Sequence, residues 1–291
     1  MTQTIGNPLS WLADATIGAG RSASDATNAL RGTATTPPAV HTLTRDDLAS
    51  ALRKGIADFT ALRSDVIFLI AIYPIIGVAL SLLAFDMARL PMLFPLAAGF
   101  TLLGPVVATG LYEMSRTREA TGHAGWSVAF SVLRARVIVP VVVLGLVLMG
   151  LFVAWMFAAT LVYNLTLGPQ PPASIGSFTN DVLTTGAGWA MIVLGMGVGL
   201  VFAAAVLVVS FISFPMLIDR RAGIPVAVLT SIKVARANPR IVAIWGLIVA
   251  VAMVLGTLPA FLGLMIVLPV LGHATWHLYR IAVPVTPEED A

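Results

Sequence analysis

PLAAGFTLLGPVVATGLYEMSR, Pro95 to Arg116, is an apolar run broken by Gly99, Gly104, Pro105 and Gly110 and closed by the polar cluster Tyr112, Glu113, Ser115 and Arg116. A soluble fold of this size could not cover several such runs on every side, so they require a solvent without water. The rest of the chain has the same character. Of its 291 residues 58% are hydrophobic and 11% charged, against roughly 45–50% and 25% in soluble domains. The composition specifies an all-α, polytopic membrane helix bundle.

Working outward from that run, six segments come close to the roughly 20 residues that a hydrocarbon core demands. They are Val66–Phe85, Leu90–Tyr112, Val137–Tyr163, Gly188–Leu217, Ile241–Leu258 and Pro259–Tyr279. The last two form one run too long for a single crossing, and Gly256, Thr257 and Pro259 supply the turn that divides it. Residues 1–40, rich in Ser, Thr, Ala, Gly and Pro, read as a disordered cytoplasmic tail. Residues 41–283 read as the integral membrane domain and 284–291 as an acidic C-terminal tail.

The net charge of +3 says less than where the cations lie. Arg21, Arg31, Arg45, Arg53, Lys54 and Arg63 precede the first segment. Arg116, Arg118, Arg134 and Arg136 lie between the second and third, and Arg220, Arg221, Lys233, Arg236 and Arg240 between the fourth and fifth. The opposite side holds Arg89 alone. Cytoplasmic loops concentrate Lys and Arg, so both termini are expected inside and the loop Asn164–Asn180 outside.

Three amphipathic helices are expected on the cytoplasmic side. The first follows Thr44, with Leu48, Leu52, Ile56, Phe59 and Leu62 on one stripe and Arg45, Asp46, Arg53, Lys54 and Asp58 on other faces. The second carries Trp126, Phe130, Leu133 and Val137, and the third Ile224, Val228, Ile232 and Ala235. Each precedes a hairpin of apolar segments, a pattern that suggests three repeated helix-plus-hairpin units.

The absence of cysteine excludes disulfides, thiolate metal sites and cysteine catalysis. There is no phosphate-binding loop, dinucleotide fingerprint, nucleophile elbow or pair of intramembrane carboxylates, so no enzyme is expected. Nor is nucleic acid an expected partner. What stands out is a polar cluster at the inner ends of three segments: Tyr112, Glu113 and Arg116; Asp219 and Arg220; and Arg280 with Tyr279. Pairing among these groups would hold neighbouring helices in register.

His273 and His277 lie four residues apart, the spacing at which two imidazoles on one helix face chelate a metal, with a third ligand to come from Glu113, Asp219 or Met216. The same two rings also suit an interfacial belt with Trp276 and Tyr279. Gly195, Gly197 and Gly199 permit close helix approach, and the break at Pro105 resembles those that line transporter sites.

Taken together, Gly99–Arg116, Ser213–Gly223, Thr230–Arg240 and Pro269–Arg280 resemble the DUF2189 family of bacterial integral membrane proteins of unknown function, over roughly Leu43 to Ile281. The resemblance implies a multi-pass protein of the bacterial inner membrane. Some members are labelled cytochrome c oxidase subunit I, which raises association with a respiratory complex. Catalysis by a haem–copper centre does not follow, because the histidines are His41, His123, His273 and His277 alone, and two of these lie outside the apolar segments.

The expected function is a non-enzymatic partner-binding or assembly protein, in contact with the lipid bilayer and with other membrane proteins such as a respiratory complex, and needing no cofactor. Transport of a small molecule or lipid is the alternative, and a metal-binding respiratory assembly factor is the third reading.

Overall fold

Backbone polar groups in an apolar solvent must be satisfied within the segment, which favours helices throughout. The computed structural model of the chain describes residues 27–32, 36–70, 82, 89–101, 104–133, 137–220, 222–259 and 261–284. Among them every extended element is helical, and the β-type pairing found is an isolated bridge between Gly32 and Ala222.

The helices are α1 (Arg45–Ile70), α2 (Leu93–Thr101), α3 (Gly104–Val107), α4 (Thr109–Thr121), α5 (Trp126–Ala129), α6 (Ile138–Thr166), α7 (Ile175–Thr184), α8 (Gly186–Ser210), α9 (Ser213–Asp219), α10 (Ile224–Ala237), α11 (Pro239–Thr257) and α12 (Leu264–Ala282). Short 3-10 turns occupy Leu90–Met92 and Phe130–Leu133.

Three of these stretches are long and apolar enough to cross a membrane: Ile138–Thr166, Gly186–Asp219 and Pro239–Thr257. Their faces are largely open, and Val193, Leu200 and Val201 on α8 are 66%, 70% and 68% exposed, as suits helices whose neighbour is lipid. The expected segment Val66–Phe85 is described only in part. α1 runs through its start without a break to Ile70, and residues 71–81 and 83–88 lie outside the described set.

The stretch at Leu90–Tyr112 is divided. Pro105 has no N–H to donate, and the chain re-forms as α3 and then α4, with Thr109 Oγ1 donating to Val106 O at 2.7 Å. The expected turn after Gly256 lies between α11 and α12. There a Cβ on Gly263 would stand 2.8 Å from Gly256 O, and Phe261 takes a positive φ of 66°.

Local signals explain two differences from the sequence expectations. Asn164–Asn180 is not all loop: α6 continues to Thr166, and α7 opens on a capping box in which Ser174 and Ser177 each bond the other's backbone N–H at 3.0 Å. The second amphipathic segment is a short α-helix followed by a 3-10 turn, with Val132 buried and Phe130 and Leu133 exposed.

α10 is the amphipathic helix expected near Ile224, with its buried face turned slightly toward Val226, Ala227, Thr230, Ser231 and Val234. Ser231 bridges the joint between α8 and α9. Its Oγ donates to Val208 O at 2.7 Å and accepts from Ile212 N at 3.1 Å.

At the next joint, Asn238 Oδ1 accepts from Leu43 N at 2.7 Å while Nδ2 donates to His41 O at 3.1 Å. His41 N donates to Ala282 O at 2.8 Å, and Lys233 Nζ to Pro38 O at 3.0 Å. Of the stretch 1–40, residues 27–32 and 36–40 are described, and these bonds hold its last part across the ends of α10 and α12.

The helix pair that positions everything else is α1 against α12. The two run antiparallel: His41 meets Ala282 at one end, and Leu62 shares an apolar cluster with Leu264 at the other. Between them the backbones nearly touch. A Cβ added to Gly55 would meet Ala274 N at 2.6 Å and Ala274 Cβ at 2.7 Å. α4 approaches the adjoining face, where a Cβ on Gly272 would lie 2.6 Å from Leu111 Cδ1.

Of the α8 glycines at 195, 197 and 199, a Cβ on Gly199 would lie 3.0 Å from Trp155, whereas one on Gly195 or Gly197 would meet open space. Gly55→Val should therefore destabilise the fold by about 1–3 kcal/mol through overpacking. Thermal unfolding in detergent should register the loss, and Gly197→Ala should leave the midpoint unchanged or raised.

Candidate functional site

The second half of α12 reads LGHATWHLYR, and its helical spacing divides the polar side chains between two faces. His273 and His277 point toward α1 and α4. Trp276, Tyr279 and Arg280 point toward α4 and α9.

The first face surrounds Asp58, a buried residue of α1. Its Oδ2 accepts from Ser115 Oγ at 2.6 Å and from His277 Nε2 at 2.8 Å, and its Oδ1 accepts from Arg118 Nη1. Ser115 Oγ also lies 2.7 Å from His273 Nδ1. The serine proton is committed to the carboxylate, so the imidazole must donate from Nδ1, which leaves Nε2 as an acceptor. Among the described residues no side-chain partner meets that buried Nε2, and the Leu111 backbone lies against the ring.

Burial alone would raise the Asp58 carboxyl above its ordinary value. The hydrogen bonds from His277 and Ser115, with the charge of the imidazoles, outweigh burial and hold it lower.

The second face surrounds Asp219. Its Oδ2 accepts from Tyr279 Oη at 2.7 Å and from Arg280 Nη1 at 3.2 Å, and Arg220 Nε lies 3.8 Å away. Arg220 Nε donates to Tyr279 Oη at 3.1 Å, and its Nη2 donates to the carbonyl of Val283 at 2.9 Å. Glu119 on α4 receives Trp276 Nε1 at 3.0 Å and Arg280 Nε at 3.4 Å.

The expected cluster thus divides in two. Asp219, Arg220 and Arg280 come together, while Glu113 and Arg116 pair locally in a two-pronged contact at 2.7 and 2.8 Å. That pairing holds the Arg116 guanidinium above its ordinary range. Tyr112 is part of the apolar core.

His273 and His277 share a face as their spacing requires, but they are turned to Ser115 and Asp58. Glu113 and Asp219, two of the expected third ligands, are engaged elsewhere. Among the described residues no three His, Cys, Asp or Glu side chains converge in a way that would hold a metal ion.

Sequence reading missed Asp58, Arg118 and Glu119. The signal for Asp58 was present. Leu48, Ala51, Gly55, Asp58 and Leu62 recur at alternating spacings of three and four, and these are the buried positions of α1. Following the larger side chains instead selected Leu52, Ile56 and Phe59, of which Ile56 is 50% exposed. Ala51 and Gly55 carry little hydrophobicity, but they are the residues that let α12 approach.

The family model described as "Predicted integral membrane protein (DUF2189)" matches residues 92–219, which includes α2 to α9 together with Glu113, Ser115, Arg116 and Asp219. No curated protein and no solved structure matches the chain.

Asp58→Asn leaves Arg118 without its counter-charge and should cost on the order of 3 kcal/mol of stability. The sign of the pH effect follows from the lowered carboxyl. The stabilisation is present above the unfolded-state value of roughly 4 and is lost as pH falls through the lower folded-state value. The gap in melting temperature between wild type and Asp58→Asn should be full near pH 6 and narrow toward pH 3. A gap that does not change with pH would contradict this role.

Proposed function

We propose that this chain, which belongs over residues 92–219 to the DUF2189 family of predicted integral membrane proteins, is a non-enzymatic protein that binds or assembles partners within the membrane. One observation carries the reading. The carboxylates of Asp58, Glu113, Glu119 and Asp219 are each bound by cationic or hydroxyl groups of the same chain. A reaction centre aims polar groups at a shared space. Here Asp58, Glu119 and Asp219 fasten α1, α4, α9 and α12 to one another, while α6, α8 and α11 keep long apolar faces open for lipid and for the helices of a partner.

The orientation follows from the cations. Arg45, Arg53, Lys54, Lys233, Arg236 and Arg240 are exposed, and those near the Asn238 joint share the end where residues 38–43 meet α12. That end is cytoplasmic in a bacterial inner membrane, with both termini inside. Three of the six expected crossings are the longer helices Ile138–Thr166, Gly186–Asp219 and Pro239–Thr257; Val66–Phe85 is not proposed among the rest, because α1, antiparallel to α12, already brings Leu62 to the Leu264 end. Because the chain has no cysteine, single replacements test this directly. Ser174→Cys and Leu258→Cys should react with an impermeant maleimide added outside spheroplasts, and Arg53→Cys only after permeabilisation. Labelling of Arg53→Cys from outside would reverse the orientation.

Crosslinking in native membranes followed by gentle affinity purification should recover a reproducible set of membrane subunits. Those of a respiratory complex are the first to look for. Recovery of the chain alone would remove the assembly reading and bring forward transport, which the divided course of α2, α3 and α4 favours.

A further inference from the structure

The structure assigns a second feature to the end of α6 away from Asp219, and it is independent of the partner-binding reading. A half-open cavity of about 300 Å³ lies among the Leu90–Met92 turn, α2, α6, α7 and α8, with Met92, Phe94, Trp155, Phe178, Met191 and Gly195 on its walls. We propose that it holds one acyl chain of a membrane phospholipid.

Four observations select that occupant. First, the walls are almost wholly apolar, and the polar atoms around them are already engaged. Trp155 Nε1 donates to Pro95 O at 2.9 Å and Tyr163 Oη to Gln170 O at 2.7 Å. A ligand with hydrogen-bonding groups would find no partner there, whereas a hydrocarbon needs none.

Second, the cavity opens on the surface that lipid covers. Met196 lines it and is exposed, on the same side of α8 as Val193 and Leu200, the outward face of a helix long and apolar enough to cross the membrane. A chain from the surrounding bilayer can enter sideways without passing through water.

Third, the volume lies at the lower limit of small-molecule pockets, roughly 300–1,000 Å³. A partner helix about 10–12 Å across would not fit. Fourth, Gly195 contributes a wall with no side chain, and a Cβ there would meet nothing within 4 Å. That open space belongs to the cavity.

The full chain would be placed in vesicles of phosphatidylethanolamine and phosphatidylglycerol doped with phosphatidylethanolamine carrying a diazirine midway along one acyl chain. After irradiation, labelled peptides are mapped. Met92, Phe178 and Met191 should carry severalfold more label than Leu161 and Leu200, which face outward on α6 and α8. Gly195→Phe, which fills the cavity, should reduce that label severalfold.

Gly197→Phe points into open space beside the cavity wall and should leave the label unchanged. Gly195→Leu gives the same reading if the larger ring alters the melting temperature. Labelling that is even along α6 and α8, that misses the cavity residues, or that ignores Gly195→Phe overturns the assignment. None of these outcomes depends on whether a partner protein is recovered.

Discussion

The Asp58 carboxylate sets the terms for the packing around it. Taking a charged group out of water costs several kcal/mol unless its neighbours replace the lost hydration. At Asp58 those neighbours come from other helices: Arg118 and Ser115 from α4, and His277 from α12. They reach the carboxylate only if three backbones come together. Gly55 against Ala274 and Gly272 against Leu111 supply that approach, since a Cβ at either glycine would occupy the space the neighbouring helix needs. Small residues and charged residues therefore work as one device. The first bring the helices close, and the second make the closeness necessary.

This device decides which helices pack together, because burial of an apolar face is non-directional and gives little preference for one neighbour over another. A shift of α1 by one residue would rotate Asp58 by about 100° away from α12 while leaving apolar area of similar size in contact. α12 holds α4 again through Trp276 and Arg280 on Glu119, and fixes α9 through Tyr279 on Asp219. Elsewhere neutral groups do similar work. Ser231 satisfies the backbone where α8 passes into α9, and Asn238 ties the 38–43 segment to the start of α11. Each bond lies at a joint, where the helical ladder leaves backbone groups without a partner.

Much of this was legible from residue types. Long apolar runs identified α6, α8 and α11, glycine and proline located the turn before α12, and the charged ends of α9 and α12 drew attention to Asp219, Arg220 and Arg280. The pairing of α1 with α12 was not legible, because its contact surface is built from residues that hydropathy ranks low. Ala51 and Gly55 contribute little apolar area, and an aspartate within a stripe looks like an interruption of it. The capping box at Ser174 was missed because a Pro-rich stretch before it suggested loop. Nothing in residue spacing foretold the cavity beside Trp155, which depends on where α7 folds back over α6 and α8.

The contact between Ser115 and His273 shows how the network ranks its demands. Ser115 has a single proton, and it lies between a carboxylate and an imidazole. If the hydroxyl donated to His273, Asp58 would lose one of its donors and the serine oxygen would face it lone pair to lone pair. Donating to Asp58 instead satisfies the charge and requires the imidazole to donate from Nδ1. An uncharged imidazole can take either tautomer and so adapts to that choice, whereas a carboxylate short of donors would cost more. The fold keeps its charge fully bonded and lets the neighbouring ring adjust.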